Sequence, residues 1–150
     1  MAASMRGEQR TALWSYGFRP FFLAAGLWAP SAVALLFFLF VTGETLPSRF
    51  GPLIWHIHAM LFGFVLAAVA GFLLTAIPNW TGRRPVQGWL LAGLVMLWLL
   101  GRIVCFASAF LPLWLAAAID LAFPFALSAL VAREIVAARN GRNMMIPVPV

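Results

Sequence analysis

His56 and His58 are the only histidines in the chain, and both lie in the stretch Trp55-His56-Ile57-His58-Ala59-Met60. An ionisable side chain within a membrane-spanning run is expensive, so each raises a functional hypothesis. On a helix, residues two apart point about 200° from each other. Two such imidazoles cannot bind one metal from a regular helix. His56 and Met60 are four apart and share a face. A neutral imidazole with a thioether suits copper(I), or the axial positions of a haem iron. One helix cannot supply both sides of a haem, so any second axial ligand comes from elsewhere.

Other polar residues belong to the same depth. His56, His58 and Met60 lie roughly 5–12 Å inside the boundary of their span. Arg102 lies near the end of the next span and Asp120 near the start of the one after, so the three depths overlap. Arg102 and Asp120 can then pair and offset each other's desolvation. With the histidines they would form one polar cluster, either as structural glue or as support for a cofactor. Cys105, the single cysteine, excludes an internal disulfide and any multi-cysteine metal site. It reads as a small apolar residue or as a soft metal ligand. A second constellation, Ala76-Ile77-Pro78-Asn79-Trp80-Thr81-Gly82-Arg83-Arg84-Pro85, lies at the opposite end of the same span. Pro78 is expected to stop the helix, and Gly82 can supply a positive φ. Asn79 and Arg83 there suit a rigid turn, or a site for an anionic group such as a haem propionate or lipid phosphate.

The elements that position these residues follow from composition. The 150 residues are 64% hydrophobic and 9% charged. Soluble domains have about 45–50% apolar and about 25% charged residues, so a soluble globular domain and a disordered chain are both excluded. A span needs about 20 apolar residues to cross a ~30 Å hydrocarbon core. Four runs qualify, at about 21–41, 53–77, 87–108 and 113–138. Short loops make neighbours antiparallel, so the expectation is a single all-α transmembrane domain, a bundle of four helices. Pro30 and Pro124 fall inside spans and should bend them. Ala59, Gly63, Ala67 and Gly71 recur every four residues, a small-residue stripe along which another helix can approach closely. The first 20 residues have no apolar core of a cleavable signal peptide.

Charge sets the expected direction. The basic residues are ten Arg, and the net charge is +6. In a soluble protein that balance points to nucleic acid; between apolar runs it orients the chain, and no nucleic-acid partner is expected. Arg6, Arg10, Arg19, Arg83, Arg84, Arg133, Arg139 and Arg142 fall on one side of a four-span layout. The positive-inside rule then places both termini in the cytoplasm. Trp14, Trp80 and Trp89 would line the inner membrane boundary, and Trp55 and Trp114 the outer one. Phosphate loops, zinc-protease His pairs and serine nucleophile elbows are absent, and without lysine there is no Schiff-base chemistry.

Several phrases together resemble the NnrS family of membrane proteins. They are Phe18-Arg19-Pro20-Phe21-Phe22-Leu23, Trp55 to Phe64, Ala70 to Gly82, Leu97 to Arg102, and Ala138-Arg139-Asn140. Ala59 stands where that family usually has Glu. The resemblance implies a polytopic protein of the bacterial inner membrane that carries haem and copper and serves nitric oxide metabolism or nitrosative-stress resistance. By resemblance, His56 and His58 become the candidate haem or copper ligands, with Met60 beside them. Arg102, Asp120, Asn79 and Arg83 become supporting groups. Family members typically have about twelve spans, so the chain looks like an N-terminal third, and self-association would bring four histidines together. Nitric oxide is the expected ligand of a reduced centre. The alternatives are a cofactor-free scaffold or assembly partner and, last, a transporter fragment with Asp120 taking a proton or ion.

Overall fold

The computed structural model describes residues 13–142, and the side chains up to residue 138. Arg6, Arg10 and residues 143–150 lie outside that description, as do the side chains of Arg139 and Arg142. Four helices are long and apolar enough to cross a membrane, and the described residues contain no strand. Helix α1 is Phe18–Thr42. Helix α2 runs continuously over Pro52–Thr81. Helix α3 is Trp89–Phe106, and α4 is Leu113–Arg142. The chain is thus an all-helical multi-pass membrane protein.

Local chemistry accounts for the helix ends. Pro52 opens α2 at its first turn, where a missing N–H is harmless. Helix α1 closes on Gly43 at φ 71°, and α2 on Gly82 at φ 67°. The Gly82 N–H donates to the Pro78 carbonyl at 2.8 Å, so α2 continues one turn past Pro78 rather than ending there. The proline removes one donor, but its own carbonyl is used by the glycine cap.

Helix α1 packs along α2, and α4 packs along both α2 and α3. The Gly88 N–H donates to the Trp14 carbonyl, and Arg83 of the α2–α3 connection pairs with Glu134 of α4. Both contacts place the two ends of the described chain at one end of the bundle, here called the terminal end. The main core lies towards that end, around Phe21, Leu74, Leu91, Trp98, Phe123 and Leu127. Helix surfaces away from the core expose large apolar side chains such as Phe37, Phe40 and Phe125, as a lipid-facing surface requires.

Helix α2 is not regular. Ala59–Val65 forms a π-helical stretch that starts one residue after His58. Such stretches are rare and concentrate at functional sites. The small-residue stripe runs through it, and all four of its members are buried. Two carbonyls of this stretch gain indole donors: Trp28 Nε1 donates to Ala59 at 2.9 Å, and Trp98 Nε1 donates to Gly63 at 3.0 Å. The two indoles meet edge-on with centroids 5.7 Å apart. Small residues therefore admit two tryptophans as well as a neighbouring helix.

The tryptophans divide differently from the aromatic-belt expectation. Trp80, Trp89 and Trp114 are exposed, as a belt requires. Trp55 is 2% exposed and belongs to the interior, packed with Ala32, Ala59 and Cys105 and edge-on to Phe106. Its position in the first turn of α2 faces α1 and α3, so it seals the bundle instead of anchoring it to lipid.

The opposite end is stitched by one arginine. Arg49 donates from its main-chain N–H to Ser108 Oγ at 3.0 Å, from Nε to the Ser108 carbonyl at 3.0 Å, and from Nη2 to the Leu111 carbonyl at 2.8 Å. The Ser48 hydroxyl adds a bond to the Cys105 carbonyl at 3.2 Å. These bonds tie the α1–α2 loop to a carbonyl in the last turn of α3 and to carbonyls of the connection that follows it. Arg49→Ala loses the two guanidinium bonds, and at ~0.5–1.5 kcal/mol each should destabilise the protein by about 1–3 kcal/mol. Thermal unfolding followed by circular dichroism in detergent checks this; the helix content before melting should stay unchanged.

Candidate functional site

The two histidines face different neighbours. The His56 Nδ1–H donates to the Ala32 carbonyl of α1 at 3.2 Å. That carbonyl can only accept, so Nδ1 carries the proton and Nε2 keeps its lone pair. His58 faces α3 and α4 instead. Its Nε2–H donates to Asp120 Oδ2 at 2.8 Å, and its Nδ1 lies 3.3 Å from Cys105 Sγ. The 100° step of the helix separates the rings, and no single ion can reach both.

His58 is held by two aromatic rings, a carboxylate and a thiol. Phe62, four residues on, stacks on the imidazole with centroids 4.4 Å apart and planes 2° apart. Phe50 from the α1–α2 loop also lies nearly parallel to the ring, with centroids 6.3 Å and planes 13° apart. Asp120 then bridges two cations or donors: Oδ2 takes His58, and Oδ1 takes Arg102 Nη2. Arg102 is 4% exposed, and its Nε and Nη1 find no acceptor. Gly101 lets α4 approach here, since a Cβ at that position would lie 3.1 Å from Asp120 Oδ1. The cluster is therefore Arg102–Asp120–His58–Cys105, one chain of contacts across α2, α3 and α4.

The sequence-derived set splits accordingly. Arg102 and Asp120 pair, and His58 joins them. His56 does not; it belongs to the α1 side. Met60 is half-buried and packs against the group formed by Ala32, Trp55, Ala59 and Cys105. Asn79 and Arg83 lie at the terminal end, roughly 35 Å along α2 from His56. Asn79 is exposed, and Arg83 is engaged by Glu134. Neither shares a site with the histidines. Cys105 is the residue that sequence reasoning undervalued. Its signal was weak but present: it lies one helical turn from Arg102, on the same face.

Two cavities border these residues. One of ≈ 300 Å³ is walled by Trp28, Ala32, Trp55, Arg102 and Phe106, between α1, α2 and α3. The other, ≈ 240 Å³, is bordered by Phe50, His58, Phe62, Cys105 and Asp120, with apolar α4 residues closing it. Among the described residues no three His, Cys, Asp or Glu side chains converge as a metal cluster. The arrangement can offer one free imidazole nitrogen at His56, and an imidazole–thiol pair at His58 and Cys105.

No curated protein and no solved structure matches the chain. A family model described as NnrS protein matches residues 12–150, which takes in all four spans and every residue of the polar cluster, and the chain belongs to the NnrS family.

Proposed function

We propose that this chain is a haem- and copper-binding membrane protein of the nitric oxide response, with His56 as a haem ligand. The observation that carries the assignment is the His56 ring geometry. Metal-ligating histidines almost always donate their second ring N–H to a carboxylate, carbonyl or water. His56 does this to Ala32 and leaves Nε2 without a protein partner. The ring is half-buried, so a bound group would extend beyond this bundle. The ≈ 300 Å³ cavity between α1, α2 and α3 is lined by Ala32, whose carbonyl His56 bonds, and by Trp55, but not by His56 itself. A second copy, or further transmembrane helices, would complete the enclosure around a group held by His56. Bound haem iron with an open coordination position supplies a site for a diatomic ligand such as nitric oxide. The protein's share is to orient His56 through Ala32 and to hold a buried cation, Arg102, beside the cavity.

Arginine placement supports a bacterial inner-membrane location with the terminal end in the cytoplasm. Arg19, Arg83, Arg84 and Arg133 belong to that end, and Arg49 to the other. His56 and the polar cluster then lie towards the periplasmic face.

The test is an absorption spectrum of the detergent-purified chain, oxidised and reduced, with iron counted on the same sample. A Soret band that is lost in His56→Ala, with helix content intact, is the expected result. Unchanged iron and colour in His56→Ala would sink the assignment. A second reading, a cofactor-free scaffold or assembly partner, rests on a different observation. Both His58 nitrogens and both Asp120 oxygens already have protein partners. That reading expects a colourless, metal-free and well-folded protein.

A further inference from the structure

We infer that the ≈ 300 Å³ cavity between α1, α2 and α3 binds the ring of a membrane-soluble quinone, with the Arg102 guanidinium donating to a quinone carbonyl. The inference goes beyond the haem reading and does not rest on it, since His56 is not on the cavity wall.

The unmet donors of Arg102 carry the assignment. The residue is 4% exposed, and on its guanidinium only Nη2 has an acceptor, Asp120 Oδ1. Nε and Nη1 are enclosed without one. Together they hold three N–H donors. Buried polar groups in native proteins are paired, so these donors call for an acceptor that the chain itself does not supply. Arg102 borders the ≈ 300 Å³ cavity, whereas its partner Asp120 borders the separate one of ≈ 240 Å³. The missing acceptor therefore belongs in the larger space. Two other polar groups of that wall are already engaged. Trp28 Nε1 donates to the Ala59 carbonyl, and the Ser31 hydroxyl donates to the Leu27 carbonyl at 2.7 Å.

The wall and its opening set the class of ligand. Trp28, Trp55 and Phe106 line the cavity with aromatic rings, which suit a flat apolar ring system. Small-molecule sites begin at roughly 300 Å³, room for one substituted ring. Helices α1 and α3 both pack on α2, but their main chains scarcely approach each other. Ser31 of α1 and Ile103 of α3 belong to the wall and are also exposed, so the cavity opens sideways towards lipid. A ligand that enters there dissolves in the bilayer, and its tail can stay in it.

Charge selects a neutral acceptor. Asp120 already balances the Arg102 charge. A carboxylate or phosphate would bring a second negative charge beside Asp120 in a poorly solvated site. A quinone carbonyl accepts from the guanidinium and adds no charge.

The experiment is a calorimetric titration of the full chain in detergent with a decyl-tailed benzoquinone, with decanoate as the anionic comparison. The expected result is one saturable quinone site per chain and no saturable decanoate binding. Arg102→Met paired with Asp120→Leu removes the donor without stranding a charge; a hydrogen bond to a charged group is strong enough that its loss should weaken quinone binding ~10–100-fold. Ile103→Trp narrows the opening, keeps the ion pair and should weaken binding as well. Phe125→Trp, on an exposed face away from the cavity, should not. Circular dichroism of each variant shows that a loss is not unfolding. Quinone affinity that survives either cavity variant, or decanoate that binds as tightly as the quinone, overturns the inference. The Soret band of the same samples reports separately on His56. Quinone bound by a colourless protein sinks the haem reading and leaves this one standing; a haem-loaded chain that takes up no quinone does the reverse.

Discussion

Asp120→Ala should destabilise the bundle by about 3–5 kcal/mol, the usual penalty for removing one partner of a buried ion pair. The reason is Arg102. Its side chain is almost fully enclosed, and Asp120 accepts its only hydrogen bond to a side chain. Nε and Nη1 are already without acceptors. Taking Asp120 away leaves a full positive charge in an apolar bundle and frees the His58 Nε2–H as well. The expected result is a large drop in melting temperature and in the folded protein recovered from membranes. The double replacement Arg102→Met with Asp120→Leu removes the charge together with its partner, and should recover most of the loss. Thermal unfolding of the two single variants and the pair, read as a double-mutant cycle, measures the coupling. Independent, additive effects would contradict the buried bridge.

Gly63→Leu should be the most disruptive change in α2 outside the polar cluster. A Cβ at position 63 would overlap the Trp28 indole, which sits there to donate to the Ala59 carbonyl. Trp98 donates to the Gly63 carbonyl from the other neighbour, so the glycine is enclosed by two indoles. Overpacking in a close-packed interior costs about 1–3 kcal/mol, and the lost Trp28 hydrogen bond adds about 1 kcal/mol. Gly63→Ala should already lower the melting temperature, and Gly63→Leu should lower it further. Tryptophan fluorescence should report the displaced indoles. By contrast, Gly26→Ala on α1 meets open space and should be neutral or slightly stabilising through helix propensity. Equal melting temperatures for Gly63→Leu and wild type would refute the indole packing.

The four spans were legible in the sequence because lipid imposes a simple rule. Each crossing must satisfy its main chain internally, so long apolar runs become helices whatever their neighbours do. The approximate bounds, the glycine cap at Gly82 and the opposed directions of His56 and His58 all follow from local geometry. Pairing of Arg102 with Asp120 was legible too, since two opposite charges at one depth have few alternatives. Motif phrases around α2 carried the family.

Rotation of each helix about its axis was not legible. It decides that Trp55 seals the interior while Trp114 meets lipid, and nothing in residue type separates the two. The π-helical stretch after His58 has no local signature, since it depends on indoles arriving from α1 and α3. The same holds for Cys105. Its sulfur meets His58 only because α3 and α2 bring residues 47 positions apart into register. How often the chain crosses and which residues share a depth follow from apolar length and 1.5 Å of rise per residue, so both can be read from residue order. Which residues of one depth touch depends on helix rotation, which packing sets.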